Sequence, residues 1–160
     1  MTTATTDKLD IQESLWEALD DSPFVMLART GGNDHAKPMT VHFDKDYCNT
    51  LFIYTQVKSD LAPGGPAMMQ VIGKGHKLFA CIAGTLSTVT DRAMIDRFWS
   101  NQVEAWYDQG KDDPDLLMLK FDMADAEIWE ADPGVKGLFK MLTGATMKEG
   151  EMGDHAEVAL

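Results

Sequence analysis

With 160 residues, 44% of them apolar and 25% charged, the chain is long enough for one domain to bury a core without disulfides or a structural metal. Its 26 acidic and 14 basic side chains leave a net charge of −12. Such a surface repels nucleic acid and anionic lipid, so an anionic ligand would need a local basic pocket, and the acidity otherwise serves solubility.

The first residues, MTTATTDKLD, lack the positive start and apolar run of a secretory signal. Residues 7–20 place Leu9, Ile11, Leu15, Trp16 and Leu19 at helical spacing and predict an amphipathic helix that stops before Ser22-Pro23. A strand-rich centre follows: FVMLA over 24–28, then a turn at Gly31-Gly32-Asn33-Asp34, the alternating run PMTVHF over 38–43, a second turn, and LFIYT over 51–55. Residues 59–70 carry prolines and glycines that allow at most a short, broken helix.

Further strand is expected at 71–72, 78–82 and 85–89, with Gly84 at a bend or close backbone approach. Residues 91–108 form the clearest helical pattern, N-capped by Asp91 and faced by Met94, Ile95, Phe98, Trp99, Val103 and Trp106. After the breaker GKDDPD, residues 116–121 and 126–129 read as two closing strands. Val135, Leu138, Phe139 and Leu142 form a last short helical face before a polar tail.

Many short strands with a few helices predict a single α+β domain over residues 1–160, a β-barrel with helical decoration, with residues 1–6 and 143–160 as flexible tails. No stretch approaches the roughly 20 apolar residues of a membrane span, and a cytoplasmic protein is expected. Cys48 and Cys81 are too few and too far apart for a disulfide framework or a zinc site, and each is expected to be a small buried or half-buried apolar residue.

The chemistry-bearing residues form no nucleophile or metal motif. His35, His42, His76 and His155 are scattered, and His42 on its alternating strand reads as structural or surface. Gly73-Lys74-Gly75-His76-Lys77 lacks the Ser or Thr of a phosphate loop and reads as a basic turn. Asp112, Asp113 and Asp115 have the wrong spacing for a calcium loop and read as a solvated turn.

What remains is a mixture of cation, hydroxyls and turn amides: Lys37-Pro38-Met39-Thr40, then Tyr54-Thr55 on the strand expected beside it, then Lys58-Ser59. A phosphomonoester needs such groups at a strand-to-helix turn, and neighbouring strand edges and aromatics suit a flat heteroaromatic ring. Lys, Ser and Thr at a turn are common, so composition alone leaves the site open.

The ordered blocks FVMLART, HAKPMTVHFD, LFIYTQVKSDLA, GKGHKLFACIAGTLS, DRAMIDRFWS, AWYDQGKDDPDLLML and AEIW resemble the general stress protein 26 family. That family belongs to the pyridoxamine 5′-phosphate oxidase-like split barrels, and the resemblance runs from about residue 15 to residue 129. It implies a six-stranded antiparallel split β-barrel flanked by helices, a homodimer with two FMN sites at the subunit interface. The flavin ring would lie along Lys37, Met39 and Thr40, with Tyr54 and Thr55 on the adjacent strand. The phosphate would sit near Thr55 and Ser59, and the partner would reach in with the loop from Trp106 to Lys111.

Members usually carry a Lys or Arg just after the serine equivalent to Ser59, where this chain has Asp60. A carboxylate beside a phosphate dianion is repulsive, and Lys58 is the expected substitute cation. The C-terminal arginine- and histidine-bearing motif of true pyridoxamine phosphate oxidases is missing, so that activity is not expected. The resemblance implies an FMN-binding flavoprotein with oxidoreductase capacity and an unassigned substrate, in which Lys37 stabilises the reduced ring. Two alternatives stay open: a flavin-binding or ligand-sensing stress protein without turnover, and a split barrel that binds haem or deazaflavin instead.

Overall fold

The computed structural model describes residues 2–44, 46–130 and 155–160. The elements, in chain order, are helix α1 (Thr2–Asp21), strands β1 (Phe24–Arg29), β2 (Lys37–Thr40), β3 (Thr50–Gln56), β4 (Gly65–Ile72) and β5 (Leu78–Val89), helices α2 (Arg92–Arg97) and α3 (Asn101–Glu104), and strands β6 (Leu116–Glu130) and β7 (His155–Ala159). Every strand pairing is antiparallel, in the order β2-β1-β4-β5-β6-β3, with β7 added on β6. The six-stranded path is the expected barrel sheet. Its two end strands meet at a single bridge, His42 with Phe52, so the barrel is split.

Strand alternation builds the core. Val25 and Leu27, Leu51 and Ile53, Met69 and Val71, Ile82 and Leu86, and Leu119 and Phe121 all point inward and are at most 4% exposed. Helix α1 closes the barrel with Ile11, Leu15 and Leu19, spaced four residues apart on one face. Burying each such side chain contributes about 1.5–3 kcal/mol. Outside the barrel, Phe52 and Met118 pack with Met94, Ile95 and Phe98, which fastens α2 to the outer face of β3 and β6.

Several elements differ from expectation, each for a local reason. The two runs at 78–82 and 85–89 form one strand, because the interruption is a bulge between Ala83 and Gly84. A Cβ on Gly84 would lie 2.5 Å from the Asp122 carbonyl oxygen and 2.6 Å from the Phe121 ring, which is the close approach expected there. The two closing strands are likewise one, β6, whose edge serves β3 along its first half and β7 along its second. No turn breaks it at 122–125, where Met123 N–H donates to the Asn49 carbonyl.

The 91–108 helix divides in two. Asp91 caps α2 as expected, accepting from Ala93 N–H at 2.9 Å, but Ser100 caps a second start by accepting from Val103 N–H. Residues 65–70, where at most a short broken helix was expected, join the expected strand at 71–72 to form β4, whose Ala67, Met69 and Val71 fill the core between β1 and β5. The C-terminal tail, expected to be flexible, ends in β7 on the edge of β6. The helical face at 135–142 lies outside the described residues. Cys48 is exposed, against expectation, in the turn before β3, while Cys81 is half-buried; both are free. No described helix is long and apolar enough to cross a membrane.

Candidate functional site

The split between β2 and β3 is the place where the fold leaves chemistry unsatisfied. His42 N–H donates to the Phe52 carbonyl (2.8 Å) and Phe52 N–H to the His42 carbonyl (2.7 Å). Beyond this pair no ladder joins the two strands among the described residues. Antiparallel strands turn alternate residues to alternate edges. The edge of β2 toward β3 therefore carries the N–H and C=O of Thr40 and the C=O of Pro38. The facing edge of β3 carries Tyr54 and Gln56, and the Gln56 carbonyl accepts from Ser59 N–H at 2.9 Å. Two such edges are a ready surface for a flat group with donors and acceptors on its rim.

Side-chain alternation sorts the predicted site residues into sets. Lys37 and Met39 are half-buried and lie on the core side of β2, while Thr40 is exposed on the other side. Thr55 shares the inner face of β3 with Leu51 and Ile53, whereas Tyr54 shares the outer face with Phe52. Lys37, Met39 and Thr55 thus lie on the core side of the two strands, and the Lys37–Asp60 ion pair ties β2 to the turn after β3, in which Ser59 is half-buried. Tyr54 and Thr40 lie on the opposite side of the strands. Lys58 is exposed in the same turn as Ser59.

That turn departs from expectation: residues 57–63 form successive turns and no helix. Leu61 N–H donates to Ser59 Oγ (3.2 Å), Ala62 N–H to the Ser59 carbonyl, and Gly64 N–H to the Leu61 carbonyl. Leu61, 1% exposed, plugs the core at this mouth of the barrel. Gly64 has φ of +69°, and a Cβ there would lie 2.7 Å from the Leu86 carbonyl oxygen, so only glycine fits. The dipole of a helix N-terminus is missing, and an anion here depends on side chains.

The charges at the mouth are specific. Lys37 Nζ lies 3.0 Å from Asp60 Oδ2, both about two-fifths exposed, so the carboxylate that departs from the family pattern neutralises the cation beside it. Arg29, two residues past Leu27 on the same face of β1, donates from Nε to the Gly64 carbonyl at 2.8 Å. Sequence reasoning passed over Arg29; the signal available was its inward phase in FVMLAR.

On the outer side, the segment from α2 to β6 is clipped to β3 by two phenols. Tyr54 Oη donates to the Ile95 carbonyl (2.6 Å), and burial followed by the nearby Asp96 charge raises its pKa. Tyr107, 6% exposed, donates from Oη to the Thr55 carbonyl (2.7 Å); burial and then Asp113 push its pKa up to about 12. Trp99 packs between these two rings. His42 sits half-buried against Tyr54 and Phe98, and burial lowers its pKa, which fits the structural reading.

Trp106, next to the anchored Tyr107, is 78% exposed. Lys111 Nζ is held 2.9 Å from Asp96 Oδ1 within its own chain, and that contact is the main reason the Asp96 pKa is lowered. Residues 74–76 form a tight exposed basic turn, as expected. Asp113 accepts from the N–H groups of Gln109 and Asp115, the behaviour of a solvated turn.

Comparison with known proteins gives a consistent picture. A family model described as pyridoxamine 5′-phosphate oxidase like matches residues 10–151. General stress protein 26 of Bacillus subtilis (strain 168) is 27% identical over 132 residues, 76% of this chain and 90% of that protein. The crystal structure of a candidate general stress protein 26 from Jannaschia sp. CCS1 is 33% identical, with a TM-score of 0.77 over 95% of this chain and 99% of the other. The general stress FMN/FAD binding protein of Xanthomonas citri is 37% identical, with a TM-score of 0.71 over 79% of this chain and 92% of its own.

Proposed function

The chain belongs to the pyridoxamine 5′-phosphate oxidase-like family, and from that premise we propose that it is a cytoplasmic FMN-binding protein of the general-stress type, working as a homodimer with oxidoreductase capacity. The observation that carries this reading is the 37% identity to the Xanthomonas citri protein named for FMN/FAD binding. The geometry supports it. The open edges at Thr40, Pro38, Tyr54 and Gln56 would hold the ring rim, with Lys37 and Met39 beside the ring, and Thr55 and Ser59 would face the ribityl phosphate end.

When bound, flavin supplies reversible redox chemistry; the chain's residues supply position and charge. Lys37 brings a cation to the core side of β2 but shares it with Asp60. Met39 and Leu61 keep water from the core side of the mouth. Tyr107 holds the loop that presents Trp106, and this exposed indole, with Phe24 at 66% and Met26 at 41% exposure, supports a second subunit as cover. Adding FMN to the purified protein and following fluorescence quenching tests the reading. Absence of quenching would overturn it.

A second reading, a flavin-holding module without turnover, is favoured by one observation. The hydroxyls of Tyr54 and Tyr107 are committed to carbonyls, and His42 is buried, so none of the three is poised as an acid or base at the split. Steady-state reduction with NADH or NADPH separates the two readings: continuous turnover supports the oxidoreductase, and a flavin that reduces without cycling supports the module. The haem and deazaflavin alternatives drew on Asp60, whose charge Lys37 now balances. The visible spectrum would reveal either.

A further inference from the structure

We propose that Arg29 is the anion-binding cation at the mouth of the split, and that the Lys37–Asp60 pair leaves this role to it. The inference rests on the reading of the site as one for a phosphorylated flavin and extends it to a residue that neither the motif nor the relatives assign.

In a chain of net charge −12, Arg92 pairs with Asp96 and Asp112, Arg97 with Asp44 and Asp46, Lys111 with Asp96, Lys120 with Asp122, and Lys37 with Asp60, while Lys58, Lys74 and Lys77, which have no such pair among the described residues, are all exposed. Arg29 is the exception among the arginines. No carboxylate pairs with it among the described residues, and its recorded bond is from Nε to the Gly64 carbonyl. That bond fixes one edge of the guanidinium and leaves Nη1 and Nη2 to a ligand. Such a half-buried planar fork is pre-organised for an oxyanion.

Its position is equally specific. Arg29 stands across from Ala67 on the core side of β1. Leu27, two residues earlier on the same face, pairs with Lys37. Arg29 and Lys37 therefore sit at the same mouth, and the turn from β3 to β4 crosses it, held at Asp60 by Lys37 and at Gly64 by Arg29. Ser59 Oγ, which accepts from Leu61 N–H, keeps its own hydrogen to donate. With no helix N-terminus in this turn, a phosphate has side-chain donors to choose from, and Lys37 already carries a counter-charge.

The test measures FMN and riboflavin affinities in parallel, because the two ligands differ only in the phosphate. In the wild type FMN should bind more tightly than riboflavin. In Arg29→Gln the FMN affinity should fall about tenfold or more while riboflavin affinity stays the same, the loss of one charge-assisted contact. Arg29→Lys, which keeps the charge, should retain part of the preference. Asp60→Asn, which frees Lys37, should raise FMN affinity.

An unchanged FMN-to-riboflavin ratio in Arg29→Gln, or a loss in Arg29→Lys as large as in Arg29→Gln, would overturn the inference. A wild type that binds neither flavin would sink the flavin reading instead. The anion site is then tested with inorganic phosphate against chloride at equal ionic strength. Thermal protection by phosphate that disappears in Arg29→Gln supports the site, and protection that persists overturns it.

Discussion

Replacing Tyr107 by Phe removes one hydroxyl and nothing else, so its consequences can be worked out closely. The Oη···O distance to the Thr55 carbonyl is 2.7 Å, in a residue 6% exposed. Residue 55 turns its backbone groups toward β6, where it pairs with Leu117, so the carbonyl is not orphaned by the change. The cost is therefore near the middle of the range for one hydrogen bond, about 1 kcal/mol at neutral pH. For a chain of this size that lowers the melting temperature by about 2–4 °C.

The pH dependence gives a second, independent signature. The folded Tyr107 pKa is pushed up to about 12, above the ordinary phenol value of about 10. A raised pKa contributes stability that is complete below pH 10 and is lost as pH rises toward 12, since the unfolded phenol ionises first. By pH 11 the wild type has lost about 1.4 kcal/mol from this residue by linkage, and the Phe variant has lost none of it. Denaturant titrations at pH 7 and pH 11 should show a gap of about 1 kcal/mol that closes to near zero. Equal stabilities at pH 7, or a gap unchanged at pH 11, would refute the reasoning.

Three further outcomes follow from the same geometry. Because burial lowers the His42 pKa, its contribution is complete above pH 6.5 and is lost as pH falls below that; His42→Gln should flatten the acid limb of the stability profile, and an unchanged limb would show that the ring is not desolvated. Gly84→Ala drives a Cβ into the Asp122 carbonyl and the Phe121 ring and should cost about 2–3 kcal/mol or more by thermal denaturation, whereas Gly32→Ala, whose Cβ meets nothing closer than 3.6 Å, should stay within about 0.5 kcal/mol. Trp106→Ala should leave the stability of the isolated subunit unchanged but weaken self-association in sedimentation equilibrium; a dimer indifferent to this residue would remove the indole from the interface.

The sequence was most readable where periodicity was pure. The apolar run that becomes β1, the β-formers of β3 and the helical spacing that includes Ile11, Leu15 and Leu19 are all legible in the sequence. Boundaries failed where a residue played a tertiary role that its type does not announce. Ser100 restarts a helix, the bend expected at Gly84 is a bulge inside one strand and not a break between two, and the Pro- and Gly-bearing stretch at 65–70 becomes core strand because β1 and β5 flank it. The tail that ends in β7 looked unstructured because its strand is stabilised by a distant edge of β6.

At the candidate site, the resemblance singled out the turn after β3 but left its electrostatics unresolved. Asp60 read as a repulsive neighbour of a phosphate, yet its partner is Lys37, on a strand far away in sequence. Neighbouring residues Tyr54 and Thr55 could be grouped by sequence, but the pleat sends them to opposite faces. Tyr107 and Arg29 acquire their roles through carbonyl oxygens, which carry no sequence signature at all.

The central claim, a flavin held at the split between β2 and β3, is tested most directly by the absorbance spectrum of the purified protein before and after incubation with FMN and desalting. The account predicts flavin bands retained in stoichiometric amount. A protein that emerges colourless after exposure to excess FMN would contradict it.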